Sequence, residues 1–312
     1  MRALSDASSK ARLWAALGIV VLSLLWGYTW VVAKQALDYA PPFTLTFMRV
    51  FGGALALFLA LKLLRQPLRL QAPRAVLLIS LCQVSGFMLL QTLSLKFGAA
   101  GKTAVLVYTM PIWTLLLAWP VLGERVRGGQ WLAVVGILTG LLLIIEPWNL
   151  QAGWLSNTLG IGAAICWAMG TVLVKKLRRH TRVSLLSLTA WSNLIGSLPV
   201  ALIASIANEP PVLWTTEFVG IMLVLTLIST AFCWWLWTSI LDRVPAWEAS
   251  LLVLGTPVIA IVCSRAILHE AFSRYEIVGI LLIGSGLLLL SFVSWLREQR
   301  ATATSNTRSL AR

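Results

Sequence analysis

The sequence predicts an all-α integral membrane protein of ten transmembrane helices, arranged as two inverted five-helix repeats. Three observations carry that prediction: a composition unlike that of soluble domains, a succession of apolar runs of membrane-spanning length, and residues that recur between the two halves of the chain.

Of 312 residues, 59% are hydrophobic and only 12% are charged. Soluble domains average about 45–50% apolar and about 25% charged. The net charge of +14 would suit a nucleic-acid partner if the basic residues formed a domain. Instead they lie in short segments between apolar runs, as the positive-inside rule produces, so no nucleic-acid partner is expected. Cys82, Cys166, Cys233 and Cys263 each fall in a different apolar run, away from any second ligand, and read as small packing residues. His180 and His269 stand alone at run ends, so neither a metal nor a cofactor is implied.

Crossing a ~30 Å hydrocarbon core takes about twenty residues. Runs of that kind occupy 13–33, 43–64, 74–95, 103–122 and 130–145 in the first half, and 158–174, 184–207, 218–241, 250–268 and 277–295 in the second. The first run is too long for a signal-peptide core and lacks a cleavage site, so it reads as a retained helix. Connections are short and rich in turn formers such as Pro41, Pro42, Pro67, Pro147, Pro210 and Pro211. The tail after Arg300 reads as disordered.

Charge orients the runs. With the N-terminus inside, the cytoplasmic segments hold Arg2, Lys10 and Arg12; Lys62, Arg65, Arg69 and Arg74; and Arg125 and Arg127. They also hold Lys175, Lys176, Arg178, Arg179 and Arg182; Arg243; and Arg297, Arg300, Arg308 and Arg312. That is 19 of the 25 basic residues, against Lys34, Lys96, Lys102 and Arg274 outside. The bias fits an even helix count with both termini cytoplasmic.

The halves divide at about residue 150, giving repeats over 1–150 and 151–312. Trp26 and Lys34 recur as Trp167 and Lys175; Thr92, Pro111, Leu122, Glu124 and Gly140 recur 146 residues later as Thr238, Pro257, Leu268, Glu270 and Gly286. Five helices per half is odd, so the second copy must be inverted, and inverted repeats are a transporter architecture.

Leu25-Trp26-Gly27, Arg49, Pro111 leading to Leu122-Gly123-Glu124, and the echo Pro257 leading to Leu268-His269-Glu270 resemble the EamA branch of the drug/metabolite transporter superfamily, over about residues 13–296. His269 stands where the family pattern has glycine. The resemblance implies ten helices, cytoplasmic termini, and export of amino acids or related metabolites through a cavity between the halves.

Candidate site residues follow from burial costs. Pro111 and Pro257 fall mid-run, where each removes a helical hydrogen bond, and read as paired hinges. Deep tryptophans need partners for their N–H groups; Trp26, Trp30, Trp113, Trp167, Trp191, Trp234, Trp235 and Trp237, with Tyr28, Gln83, Gln91, Thr92, Tyr108, Asn193 and Thr238, could line an amphipathic pocket. Arg49 and Arg265 are charges at depth, hence candidate partners for a substrate carboxylate or for a structural glutamate. Glu124 and Glu270, at run ends, read as structural anchors near Arg127 and Arg274. Gly136 and Gly140, with Gly279, Gly284 and Gly286, read as helix-packing or homodimer faces.

The expected partners are thus a zwitterionic or anionic small molecule and the lipid bilayer. A proton-coupled multidrug exporter is the alternative within transport, although no acidic residue lies mid-run to bind a cation. A membrane-embedded lipid-modifying enzyme is the alternative from another class; no nucleophile–base pair is visible to support it.

Overall fold

The apolar runs become helices because a backbone in lipid must satisfy its own hydrogen bonds. The computed structural model describes residues 2–123, 128, 130–145, 153–181, 183–236, 255–289 and 292–293. Trp237, Glu124, the segment holding Thr238 and the tail after Arg300 lie outside these residues. The elements are α1 (Arg2–Ala36), α2 (Pro42–Leu63), α3 (Pro73–Phe97), α4 (Ala100–Leu122), α5 (Gln130–Ile145), α6 (Trp154–His180), α7 (Leu185–Ile206), α8 (Thr216–Leu236), α9 (Gly255–Ile267) and α10 (274–289). Among the described residues, the six helices α2, α3, α4, α6, α7 and α8 are long and apolar enough to cross a membrane; α9 and most of α5 are shorter apolar helices.

Local chemistry sets the boundaries. Pro42 opens α2 at a position where a missing N–H costs nothing. Ser184 and Thr215 cap α7 and α8, their hydroxyls accepting from Ser187 N–H at 3.4 Å and Phe218 N–H at 3.1 Å. Gly123 closes α4 in the left-handed region at φ +72°, and His269, just after α9, lies there too at φ +54°. The expected sixth run ended at Val174, whereas α6 continues to His180. Lys175, Lys176, Arg178 and Arg179 are good helix formers, and cations are favourable at a helix C-terminus.

The proline at position 111 does not sit inside an unbroken helix. α4 is interrupted at Tyr108 and Thr109, and Pro111 lies in the first turn of the segment that resumes at Met110. Pro257 lies within α9, whose described part begins at Gly255.

Two helices carry π-helical stretches, Ser80–Gly86 in α3 and Val224–Phe232 in α8. An offset of 146 residues carries the first onto 226–232, within the second. In each, a hydroxyl donates to the carbonyl five residues back: Ser85 to Ser80 at 3.4 Å and Thr230 to Leu225 at 2.8 Å. Each stretch also faces a glycine that is the twelfth residue of its own helix. Gly53 of α2 lies against Thr230, where an added Cβ would come within 2.4 Å of the Thr230 methyl; Gly196 of α7 lies against Val84, with 2.7 Å available.

Packing runs mostly between the two halves of the chain. α2 lies on α7 and α8, α1 on α9, α3 and α4 on α6, and α4 on α9. Gly140, Gly279 and Gly286 let α5 and α10 approach within the chain, whereas Gly136 and Gly284 have open space beside them. Apolar side chains such as Leu59, Leu132, Leu202 and Leu281 point outward, as lipid-facing positions do.

One end of the bundle is held by charged groups acting on helix termini. The Glu209 carboxylate accepts from the N–H groups of Phe43 and Thr44 at 2.9 and 2.7 Å, at the start of α2. Glu270, expected to anchor near Arg274, instead accepts from the N–H groups of Ala100 and Gly101 at the start of α4. Carboxylates are favourable there because orphan N–H groups and the helix dipole both point at them. At the opposite helix polarity, Lys34 donates to the Leu95 and Gly98 carbonyls that end α3. Lys102 pairs with Glu276 at 2.8 Å, and Glu217 accepts from the Tyr39 hydroxyl, holding that phenol above its ordinary pKa.

Candidate functional site

α1, α2, α3, α4, α6 and α8 line a half-open cavity. Trp26, Thr29 and Trp30 come from one face of α1, at helical spacings of three and four. Arg49 enters from α2; Phe87, Met88 and Gln91 from α3; Val107, Tyr108 and Met110 from the broken middle of α4; Trp167 from α6; Trp234 from α8.

The walls are an aromatic chain. Trp234 lies edge-on to Trp26 at 6.2 Å and tilted on Trp167 at 5.2 Å, and Trp167 lies edge-on to Phe87 at 4.7 Å. Trp30 and Tyr108 form a second edge-to-face pair at 6.3 Å. Such rings supply apolar area with little conformational freedom to lose, and their faces attract cations.

Arg49 supplies the cavity's cation. Its side chain is 8% exposed, its Nη2 donates to the Ser229 hydroxyl at 3.2 Å, and its Nε has no partner. Gln91 is 5% exposed and its Oε1 also has no partner. A buried polar atom left unpaired costs about 1–3 kcal/mol. Arg49 and Gln91 therefore bring a cation and an amide to the cavity wall, each with one buried atom still unpartnered, set among aromatic rings, and no carboxylate lies among the described lining residues. That arrangement can receive a small molecule with an anionic group, a hydrogen-bond donor and an apolar body. Among the described residues, no group of three His, Cys, Asp or Glu side chains could hold a metal ion.

Of the candidates read from the sequence, the structure brings Trp26, Trp30, Arg49, Gln91, Tyr108 and Trp167 into this cavity. Tyr28 is 43% exposed on another face of α1. Gln83 packs on Gly170 of α6, and the Trp113 indole donates to Thr109 at 3.1 Å, beside the apolar cluster around Ile112 and Ile137. Asn193 is buried in α7 and donates to the Thr189 carbonyl at 2.9 Å. Arg265 is in the last turn of α9 with an exposed side chain, where carbonyls and helix dipole favour it, rather than deep in the helix. Trp234, one of the deep tryptophans, lines it too, whereas Thr29, Phe87, Met88, Val107 and Met110 were not singled out from the sequence as candidates; the i, i+3, i+4 spacing from Trp26 already marks Thr29.

An amphipathic cavity inside a bundle of apolar, membrane-length helices defines a multi-pass membrane transport protein for a small solute. A model of the EamA-like transporter family matches residues 13–146 and again residues 154–292, and the chain belongs to that family. An uncharacterized transporter of Bacillus subtilis, YoaV, is 32% identical over 282 residues, covering 88% of this chain and 96% of its own. A probable amino-acid metabolite efflux pump of Salmonella typhimurium is 27% identical over 286 residues, covering 88% and 93% respectively. A crystal structure with a TM-score of 0.64 and 21% identity covers 91% of this chain and 98% of its own, and shares the fold. Family and relatives alike are transporters, not enzymes, and their partners are a small-molecule substrate and membrane lipid.

Proposed function

We propose that this transporter exports amino acids or closely related metabolites across the bacterial cytoplasmic membrane by alternating access. The observation that carries the reading is that Arg49 and Gln91, each with an unpartnered polar atom, line a largely aromatic and apolar cavity. The solute's carboxylate takes Arg49, its ammonium takes Gln91 Oε1, and its side chain lies among Trp26, Trp167 and Trp234. The name of the Salmonella relative supports the same solute class.

The architecture we propose is ten crossings in two inverted five-helix repeats, 1–150 and 151–312, with both termini cytoplasmic. Three features support it: the two matches to one family model, the π-helical stretches at one offset, and the glycines at equal positions of α2 and α7. Pro111 and Pro257 serve as hinges, and the break at Tyr108 and Thr109 supports that role for the first. A homodimer contact would fall on the open Gly136 face of α5, where Leu132 and Val135 are exposed.

The aromatic walls also suit a lipophilic cation, which a multidrug exporter would carry, but Arg49 repels it. Proteoliposomes test the choice by uptake of an amino acid and of a quaternary-ammonium drug, with and without a pH gradient. Amino-acid flux without gradient-driven drug accumulation is expected. Drug accumulation driven by the gradient would replace this reading with the multidrug one.

A further inference from the structure

Ser229 is 1% exposed and lies in the π-helical stretch of α8. In a regular α-helix the Cys233 N–H would bond to the Ser229 carbonyl. Here that N–H points to the carbonyls of Ile228 and Thr230 instead, on either side. The Ser229 carbonyl is released, and it accepts from the Trp26 indole at 3.2 Å. Its hydroxyl meets Arg49 Nη2, also at 3.2 Å. One residue of the second half thus orients both a wall of the cavity and its cation, which come from two helices of the first.

We propose that Ser229 is a positioning residue: its hydroxyl holds the Arg49 guanidinium at the cavity wall so that its remaining N–H groups can meet a solute carboxylate, and so sets the preference for carboxylate-bearing solutes. The proposal rests on the reading of Arg49 as the anion site. An arginine side chain has several rotatable bonds and many rotamers to lose on binding; a guanidinium already held by Nη2 loses fewer. The π turn takes the Cys233 N–H away from the Ser229 carbonyl and so leaves that acceptor to the Trp26 indole. At the offset of 146 residues the equivalent place in α3 is Gln83, and the residue at Arg49's place in α7 is Ser192, so the device occurs once.

The test is tryptophan fluorescence of the full-length protein in detergent, titrated with L-leucine and with isopentylamine, which keeps the body and ammonium but lacks the carboxylate. Ser229→Ala keeps the backbone carbonyl and so the Trp26 contact. It should weaken leucine binding about fivefold to tenfold and leave isopentylamine within about twofold, with Ser229→Thr restoring most of the leucine affinity. Equal losses for both ligands, or none, would overturn the positioning role. Arg49→Gln separates the two ideas: it should erase leucine's advantage over the amine. If that advantage survives in Arg49→Gln, or wild-type protein does not respond to leucine, the anion-site reading fails instead.

Discussion

The Glu270 carboxylate rests on the backbone N–H groups of Ala100 and Gly101, so the end of α9 holds the start of α4. Removing a side-chain cap of this kind costs about 1 kcal/mol. Glu270→Ala should therefore lower the thermal midpoint in detergent, while Glu270→Gln, which keeps an acceptor, should lower it less. Equal midpoints in all three proteins would mean the contact contributes nothing to stability.

His269 follows α9 as Gly123 follows α4, and both adopt left-handed backbone. Glycine enters that region freely, whereas an L side chain there costs of order 1 kcal/mol. His269→Gly should stabilise the protein by about 0.5–1 kcal/mol, read as a raised thermal midpoint with transport unchanged. A lowered midpoint would show that the imidazole makes a contact worth more than the strain.

Gly53 and Gly196 each face a π-helical stretch of the opposite half at distances no side chain tolerates. Gly53→Ala and Gly196→Ala should each destabilise by about 1–3 kcal/mol. The Gly196 variant should be the worse, because its new methyl meets both the Val84 side chain and the Ser80 carbonyl. Wild-type midpoints for both would contradict the close packing of α2 on α8 and of α7 on α3.

The contrast between Gln83 and Gln91 explains how far the sequence could be read. Spaced four and eight residues apart, Gln83, Phe87 and Gln91 should share one face of an α-helix. The π turn between Ser80 and Gly86 inserts an extra residue per turn, rotating Gln83 away onto Gly170 while Gln91 stays in the cavity. No hydropathy pattern announces such a turn. Arg49 was legible because a charge at membrane depth is rare and costly. Trp234 could be recognised only as deep, since its role depends on Trp26 and Trp167 arriving from two other helices.

Topology carries its own prediction. Reporter fusions in the connection holding Pro210 and Pro211 should read external, and fusions near Arg178 at the end of α6 should read cytoplasmic. An internal signal at Pro210 would reverse the orientation drawn from the basic residues.

Arg49 should trade stability for activity. It is a buried charge with one unpaired N–H, and replacing such a group with an apolar side chain of similar length is often neutral or stabilising. Arg49→Met should keep or raise the thermal midpoint. A loss of more than about 3 kcal/mol would mean that the guanidinium is structural.

The most direct measurement is counterflow of radiolabelled L-leucine into proteoliposomes preloaded with unlabelled leucine, comparing wild type with Arg49→Gln. The wild type should accumulate label, and 4-methylpentanoate, which keeps the carboxylate alone, should inhibit it. Arg49→Gln should transport at least about tenfold more slowly, the loss expected for one charge-assisted contact. Wild-type counterflow in Arg49→Gln, or none in the native protein, would contradict a carrier that recognises its solute by the carboxylate.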